Sequence, residues 1–403
     1  MRNMAVILFS SSPSTLPIRR RVEGLWHQLQ RFGLRTRLPV SDGNAARLLP
    51  TGAAIFQCLR DLIDQAQASL HFEIYLWADD ATGRDLLDRL LAAQARGVRV
   101  RGVVDHLGSW DAVGRLRTAG LDLCFYHPIG WRLPWRQWQR RNHRKLLIAD
   151  GTVALVASAN WGEEYDDGSA PKSYRDLGLE VQGPVLCQLE ADFAKSWQRA
   201  GGRGLGPPPP PRPATVAGPG WHRPVAIQVV SSLNGGRALR RHFLLILRQA
   251  QRRMVIANAY FIPDPQFLRA LQRMARRGVG VDLIVPGASD HPFVQAASQS
   301  TFGRLLDAGV RIWARQVRVL HAKAAVLDED LVLVGTANLD SASLRHNLEL
   351  NLIVRSAALA EALQGTLAEE QALSSPFSLE EWRSTSAFRR GVQRFARLFW
   401  WWL

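Results

Sequence analysis

His143-Arg144-Lys145-Leu146-Leu147-Ile148-Ala149-Asp150, carried on through residues 151–156 to Ala157-Ser158-Ala159-Asn160, returns later in the chain as His321-Ala322-Lys323-Ala324-Ala325-Val326-Leu327-Asp328, followed by residues 329–334 and Gly335-Thr336-Ala337-Asn338. The His, Lys, Asp and Asn keep the same relative spacing in both copies. Side chains two residues apart on a strand share a face, so each His and its Lys point into one pocket while the apolar run behind them fills a core. Asp150 and Asp328 fall at the turn after that strand, and Asn160 and Asn338 follow a second apolar run. A lone His-x-Lys at a strand edge is in most sequences ordinary solvated surface. Two copies at matched spacing would need that coincidence twice, and they point to one shared site.

The surroundings repeat as well. An amphipathic helical pattern over 53–68 leads into the strand-like run Leu70-His71-Phe72-Glu73-Ile74-Tyr75-Leu76-Trp77; the same pattern over 238–250 leads into Met254-Val255-Ile256-Ala257-Asn258-Ala259-Tyr260-Phe261-Ile262. A helix then ends at Arg96-Gly97 before a strand over 98–105, and its counterpart ends at Arg277-Gly278 before 279–285. Each time glycine closes the helix and β-branched residues open the strand. This alternation predicts an α/β fold, a duplicated α/β/α sandwich of two pseudo-symmetric halves with the active site at their interface. Gly201-Gly202-Arg203-Gly204-Leu205-Gly206 and the five prolines Pro207 to Pro211 read as a semi-rigid exposed linker. The expected units are a basic N-terminal extension (1–46), a first half (47–200), the linker (201–222), a second half (223–370) and a basic amphipathic tail (371–403).

At 403 residues the chain is long enough for two such halves. An apolar fraction of 47% with 21% charged residues excludes the disordered class. The 51 Lys and Arg against 35 Asp and Glu leave a net charge of +16, which calls for an anionic partner, either nucleic acid or an anionic membrane surface. Cys58, Cys124 and Cys187 lie in apolar stretches without the paired spacing of a zinc site or a disulfide framework, and are expected to be buried thiols in a reducing compartment. The apolar run over 4–9 is too short for a secretory signal. No run approaches the roughly 20 apolar residues that cross a bilayer, so any membrane attachment is expected to be peripheral.

The two motifs resemble the HKD signatures of the phospholipase D superfamily, and the wider chain resembles its bacterial cardiolipin synthase branch, above all the B type. The resemblance extends through Tyr75-Leu76-Trp77-Ala78-Asp79-Asp80, Asp105-His106-Leu107-Gly108-Ser109, Ala259-Tyr260-Phe261-Ile262-Pro263-Asp264, and Leu339-Asp340 followed by Ser343-Leu344-Arg345-His346-Asn347-Leu348-Glu349. The first copy departs from the family pattern at Ala157, where glycine is usual, and the second at Thr336, where serine is usual. Both changes keep a hydroxyl expected next to the phosphate.

Phosphodiester transfer needs a nucleophile, a proton donor for the departing alkoxide, and positive charge on the phosphoryl oxygens. Two histidines supply the first two; two lysines and two asparagines supply the third. No metal or other cofactor is implied, and the sequence has no cluster with metal-ligand spacing. The resemblance implies a catalytic set of His143, Lys145, Asp150, His321, Lys323 and Asp328. It makes His143 the nucleophile of a phosphohistidine intermediate and His321 the acid and then the base, with the swapped assignment open. Asp176 and Glu349 are the acids that would fix the histidine tautomers. They join Asn160, Asn338, Ser158 and Thr336 as phosphate-binding and supporting residues. Asp150 and Asp328 themselves are expected to be turn-forming or structural.

Gly130-Trp131-Arg132-Leu133-Pro134-Trp135-Arg136-Gln137-Trp138-Gln139-Arg140-Arg141 would suit either bases and phosphates or an anionic bilayer. The C-terminus favours lipid: Phe388, Val392, Phe395, Phe399 and Trp402 recur at helical steps with Arg390, Arg394 and Arg397 on another face, the pattern of an interfacial helix. The implied reaction is phosphatidyl transfer between two phosphatidylglycerol molecules, giving cardiolipin and glycerol. Phosphatidylethanolamine or another alcohol stays open as co-substrate. The expected location is peripheral, on the cytoplasmic side of the inner membrane, with nucleic acid disfavoured as partner. The rivals are phosphodiester hydrolysis, by a phospholipase D or a nuclease, and a catalytically dead lipid-binding protein, against which two intact motifs argue.

Overall fold

The computed structural model describes residues 26–31, 39–128, 140–166, 173–216, 218–234, 237–289 and 291–399. The first half contributes strands β1 (Val40–Leu49), β2 (Ser69–Ile74), β3 (Arg99–Asp105), β4 (Asp122–Tyr126), β5 (Leu146–Ala149), β6 (Val153–Ala157), β7 (Tyr174–Arg175) and β8 (Gly178–Gln182). The second contributes β9 (Trp221–Ser231), β10 (Arg253–Asn258), β11 (Gly280–Pro286), β12 (Arg311–Arg315), β13 (Val319–Leu320), β14 (Lys323–Leu327), β15 (Leu331–Gly335), β16 (Leu350–Arg355) and β17 (Ser374–Phe377). One sheet runs β17-β12-β11-β10-β14-β15-β16-β9-β1-β8-β6-β5-β2-β3-β4, and β7 pairs with β13 apart from it. Read outward from the antiparallel β1–β9 pair, β8-β6-β5-β2-β3-β4 on one side matches β16-β15-β14-β10-β11-β12 on the other. This is the duplication that the repeats predicted.

The motif strands are apolar on both faces because both faces are covered. Leu146, Ile148, Val326 and Leu352 belong to a core that crosses the seam and is closed by helices Val185–Arg199 and Ala357–Ala372. Leu147 and Ala149 face helices Gly52–Gln65 and Ala81–Ala95, while Ala325 and Leu327 face helices Arg237–Gln249 and Pro265–Arg276. The second helix of each half is capped alike. Asp80 accepts from the Gly83 N–H at 2.8 Å and Asp264 from the Gln266 N–H at 2.8 Å, and both helices end before a glycine of positive φ, Gly97 or Gly278.

Several boundaries differ from expectation. β1 begins at Val40 and lies at the seam, so the first half starts before residue 47. At the other end, β17 pairs with β12, so the expected tail adds an edge strand before helices Leu379–Ser384 and Ala387–Leu398. β9 opens at Trp221, inside the expected linker, whose residues 201–216 have no regular structure. Cys58 is buried as expected, but Cys124 and Cys187 are only half-buried. Among the described residues, no helix is long and apolar enough to cross a membrane. Most of 1–46, the tryptophan-arginine run over 130–139 and Trp400 to Leu403 lie outside the described residues.

Candidate active site

Each motif histidine lies just before its strand, His143 ahead of β5 and His321 ahead of β14. Because β5 runs antiparallel to β2 and β14 antiparallel to β10, both histidines sit at the sheet edge where the parallel strands end. What holds them comes from the opposite half. His143 Nδ1 lies 3.0 Å from Glu349 Oε1, and the His143 N–H donates to the Leu348 carbonyl at 2.9 Å. His321 Nδ1 lies 2.8 Å from Asp176 Oδ1, and the His321 N–H donates to the Arg175 carbonyl at 2.9 Å. At His321 the ionised carboxylate on Nδ1 keeps the ring proton there and leaves the Nε2 lone pair free. Neither half can orient its own histidine.

The expected supporting residues converge here, with one change of role. Ser158 donates to Asp176 Oδ1 at 2.5 Å and Thr336 donates to Glu349 Oε2 at 2.5 Å. These hydroxyls brace the carboxylates and are not turned toward a phosphate. Lys145 Nζ donates to the His143 carbonyl at 2.9 Å and lies 5.2 Å from the Tyr75 ring centre; Lys323 Nζ donates to the His321 carbonyl. Burial, and next the charge of Lys323, holds the Lys145 ammonium well below its ordinary range. A buried ammonium whose charge a second lysine opposes is a site for an anion. Asn160 and Asn338 are buried, Asn160 lining a small cavity with Lys145, and the Oδ1 of each has no hydrogen-bond partner among the described residues.

Asp150 and Asp328 are corrected out of the catalytic set. Each stands at the far end of its motif strand with positive φ, 53° and 50°. Asp150 accepts from the N–H groups of Gln67, Ala68 and Ser69 at 2.7 to 3.3 Å, and Asp328 from those of Gln251, Arg252 and Arg253 at 2.8 to 3.2 Å. They tie the turn after the motif strand to the start of β2 or β10. The departure at Ala157 also has a steric reason. Ala157 pairs with Gly178, whereas Gly335 pairs with Asn351, and a Cβ on Gly335 would come 2.4 Å from the Leu350 carbonyl. One of the two facing positions must be small, and the halves solved this on opposite strands.

The electrostatics of the two histidine pairs differ. Burial pushes the Glu349 carboxyl up to about 8. Burial also acts to raise Asp176, but the His321 and Lys323 charges and the Ser158 hydroxyl outweigh it and hold Asp176 below its ordinary value. His321 is pushed down to about 4, chiefly by burial, and His143 lies well below its ordinary value for the same reason. At neutral pH the His143–Glu349 pair therefore holds one proton more than the His321–Asp176 pair, in which His321 is neutral and Asp176 ionised.

Two residues quoted in the resemblance but given no role extend the first pair. The Ser343 hydroxyl, which accepts from the Asn338 N–H at 3.2 Å, acts to lower both Asp340 and Glu349, and the Ser343 N–H donates to Asp340 Oδ1 at 2.7 Å. Burial pushes the Asp340 carboxyl up to about 7. The available signal was the asymmetry of the repeats: two residues after the motif asparagine, the second copy has Asp340 and the first has Gly162. Sequence reasoning also missed the braces on the first motif, Arg141 on Asp105 at 2.8 Å and Arg144 on Glu73 at 2.7 Å, all four buried.

The sequence matches the family described as "Cardiolipin synthase, PLD-like domain" over residues 59–197 and 244–370, one stretch in each half. It is 31% identical over 351 residues to cardiolipin synthase B of Shigella flexneri, covering 81% of this chain and 80% of that one. It is 30% identical over 411 residues to a cardiolipin synthase of Geobacillus thermodenitrificans (strain NG80-2), covering 98% and 80%. The fold is shared with the phosphatidylserine synthase of Haemophilus influenzae Rd KW20, at a TM-score of 0.68 over 94% of this chain and 96% of that one, with 16% identity. With one such stretch in each half and a histidine pair closed across the seam between them, the chain belongs to the cardiolipin synthase family of phospholipase D-like enzymes.

Proposed function

We propose that this enzyme is a phosphatidyltransferase that makes cardiolipin from two phosphatidylglycerol molecules by a covalent route. The observation that carries the reading is the crossed pairing, His143 with Glu349 and His321 with Asp176, which gives one site two imidazoles, each oriented by a carboxyl group of the opposite half. His143 Nε2 attacks phosphorus, the bond to the headgroup oxygen breaks, and His321, entering the step protonated at Nε2 beside the bound phosphate, delivers that proton to the departing glycerol. His321 then takes the hydroxyl proton of a second phosphatidylglycerol, whose oxygen attacks phosphorus and releases His143. Lys145, Lys323, Asn160 and Asn338 neutralise and direct the phosphoryl oxygens throughout. Asp176 and Glu349, backed by Ser158 and Thr336, hold the two rings.

One observation favours the exchanged roles. The pair able to give up a proton near neutrality is His143–Glu349, while ionised Asp176 leaves His321 with a free Nε2 lone pair; on that ground His321 is the nucleophile. Mapping the phosphorylated histidine decides between the two.

The reading places the enzyme peripherally on the cytoplasmic side of the inner membrane. Support comes from helix Ala387–Leu398, whose Phe388, Val392, Phe395 and Leu398 are exposed, together with Phe399 just beyond it. Arg397, expected among the outward arginines, is half-buried near Arg304. The test is incubation with phosphatidylglycerol vesicles in chelator and mass spectrometry of the lipids. Cardiolipin plus glycerol is the expected result; phosphatidic acid alone would replace the transferase with a hydrolase.

A further inference from the structure

His321 follows directly on a ribbon that belongs to neither half alone. Strands β7 and β13 pair in parallel across the seam, apart from the main sheet, with Tyr174 beside Val319 and Arg175 beside Leu320. One backbone carbonyl, that of Arg175, accepts from the N–H groups of both His321 and Ala322, at 2.9 and 2.8 Å. The next residue is Asp176, whose carboxylate meets the imidazole. The position of Arg175 therefore sets both where the ring lies and how its acid meets it. Two strands this short do not hold a register by their own pairing.

What holds it is Glu370, in the last turn of helix Ala357–Ala372. Glu370 Oε1 accepts from Arg175 Nε at 2.5 Å, and Glu370 Oε2 accepts from Arg315 Nε. Arg315 Nη1 donates in turn to the Arg318 carbonyl at 2.9 Å, one residue before β13 opens, and Arg175 Nη1 donates to the Pro50 carbonyl of the first half. A single carboxylate thus grips both strands of the ribbon, β7 directly and β13 through Arg315. All three side chains are buried. Buried ion pairs contribute little net stability, because lost hydration offsets the attraction; their best-supported use is to fix register. The His143 side is built differently. There the matching backbone contact comes from Leu348, an apolar residue, and Arg141 is held by Asp105 of its own half.

We propose that Glu370 is a positioning residue for the reaction: through Arg175 and Arg315 it sets the register of the β7–β13 ribbon, and so the approach of His321 to the reacting phosphate. Glu370 itself touches no substrate. The proposal rests on the reading above in taking His321 as a working group of the site, in either of its two roles. The lysines and asparagines that bind phosphate stand on or beside strands of the main sheet, so a loosened ribbon slows the chemical steps and spares substrate binding.

The experiment uses the full chain in mixed detergent micelles of phosphatidylglycerol, with cardiolipin formation followed well below the melting temperature of each variant. Glu370→Gln should lower the maximal rate about tenfold to a hundredfold, the loss that a displacement of about 1 Å brings, and leave the half-saturating phosphatidylglycerol within about twofold of wild type. Arg315→Lys keeps the charge but not the fork that spans Glu370 and the Arg318 carbonyl. It should show the same rate-only loss on a smaller scale, and it decides the matter if Glu370→Gln does not accumulate as folded protein. In an Asp176→Asn background Glu370→Gln should cost little more, since both act through His321. Asp282→Asn is the structural control. Asp282 is a buried carboxylate shared by Arg253 and Arg311, near the ends of β10, β11 and β12 that lie away from the histidines. Its loss should lower the melting temperature and leave the maximal rate at wild type. A wild-type maximal rate in folded Glu370→Gln, or in Arg315→Lys where that variant stands in, would overturn the positioning role. So would a loss that adds in full to that of Asp176→Asn, or an equal loss in Asp282→Asn. A wild-type chain that releases phosphatidic acid in place of cardiolipin would overturn the transferase reading alone, and the same comparison would then be read on phosphatidic acid.

Discussion

Around His143 the second half of the molecule places Glu349, Thr336, Ser343 and Asp340, whereas around His321 the first half places Asp176 and Ser158 with the Tyr165 and Tyr174 rings 5.3 Å from the imidazole. At the positions matching Ser343 and Asp340 the first half has Tyr165 and Gly162. The duplication thus reproduces the ring, the lysine and the bracing hydroxyl but not the charge environment. One carboxyl sits above its ordinary value and the other below, which is what a reaction needing a proton donor and a lone pair at the same pH demands.

Removing either ring tests that division most severely. His143→Ala and His321→Ala should each lower cardiolipin formation by about 10⁴-fold or more, and the double variant should be little worse than either single, because the two act as one unit. Circular dichroism and melting temperature should stay near wild type, since both side chains lie at the sheet edge. A phosphodiester with an aryl leaving group needs no acid, so the variant that still forms a phosphorylated enzyme with it is the one that retains the nucleophile. Phosphorylation surviving equally in both variants would break the assignment of distinct roles.

The motif aspartates sharpen the comparison from the side where the halves agree. Asp150→Ala and Asp328→Ala each strip the acceptor from three backbone N–H groups, partly exposed, and should cost about 2 kcal/mol of stability. Turnover well below the melting temperature should stay within about threefold of wild type, on the size expected of a change outside the chemistry. A collapse of activity in a folded Asp150→Ala protein would return that residue to the catalytic set.

Much of this was legible because a repeat reports on itself. The helix ends at Gly97 and Gly278, the paired strands and the histidine-lysine spacing each appear twice, so each copy checks the other. What a repeat cannot reveal is where the copies trade parts. Most of β1 lies outside the repeat, and its run, Val40 to Leu49, broken by Ser41, Asp42, Gly43 and Asn44, becomes a strand by pairing with β9 and β8. The hydroxyls of Ser158 and Thr336 were aimed at a phosphate because local spacing puts them near the histidines; their true partners, 18 and 13 residues onward, come close only when β8 and β16 pair beside them. Asp340 had no counterpart in the first copy, so the repeat gave it no weight.

Exchanging the acids is the next finer test. Glu349 has a folded value of about 8 against an ordinary 4.5, so between those values the folded chain holds a proton that the unfolded chain has lost. Stability therefore falls as pH rises from 4.5 toward 8. Glu349→Gln should gain about 1 kcal/mol at pH 7.5 and almost nothing at pH 4.5, while losing activity. Asp176 is shifted the other way and stabilises above its ordinary value, so Asp176→Asn should lose stability at pH 7.5. Chemical denaturation at both pH values reads the difference, and parallel behaviour of the two variants would erase the asymmetry on which the roles rest.

The smallest effect is the most specific to the Glu349 side. If the alkaline fall in activity marks loss of the proton held by His143 and Glu349 together, residues that touch only Glu349 must move it in directions fixed by their own charge. The Thr336 hydroxyl steadies the ionised carboxylate and lowers its value, so Thr336→Val should carry the alkaline limb upward by a fraction of a unit. Asp340 raises Glu349 by like charge, so Asp340→Asn should carry the same limb downward. The acid limb, set by His321 near 4, should stay in place in both variants. Two small shifts of opposite sign on one limb, with the other unmoved, are hard to produce by general damage to the fold. Shifts of the same sign would mean that the limb belongs to some other group, and the proton would have to be sought on the His321 side.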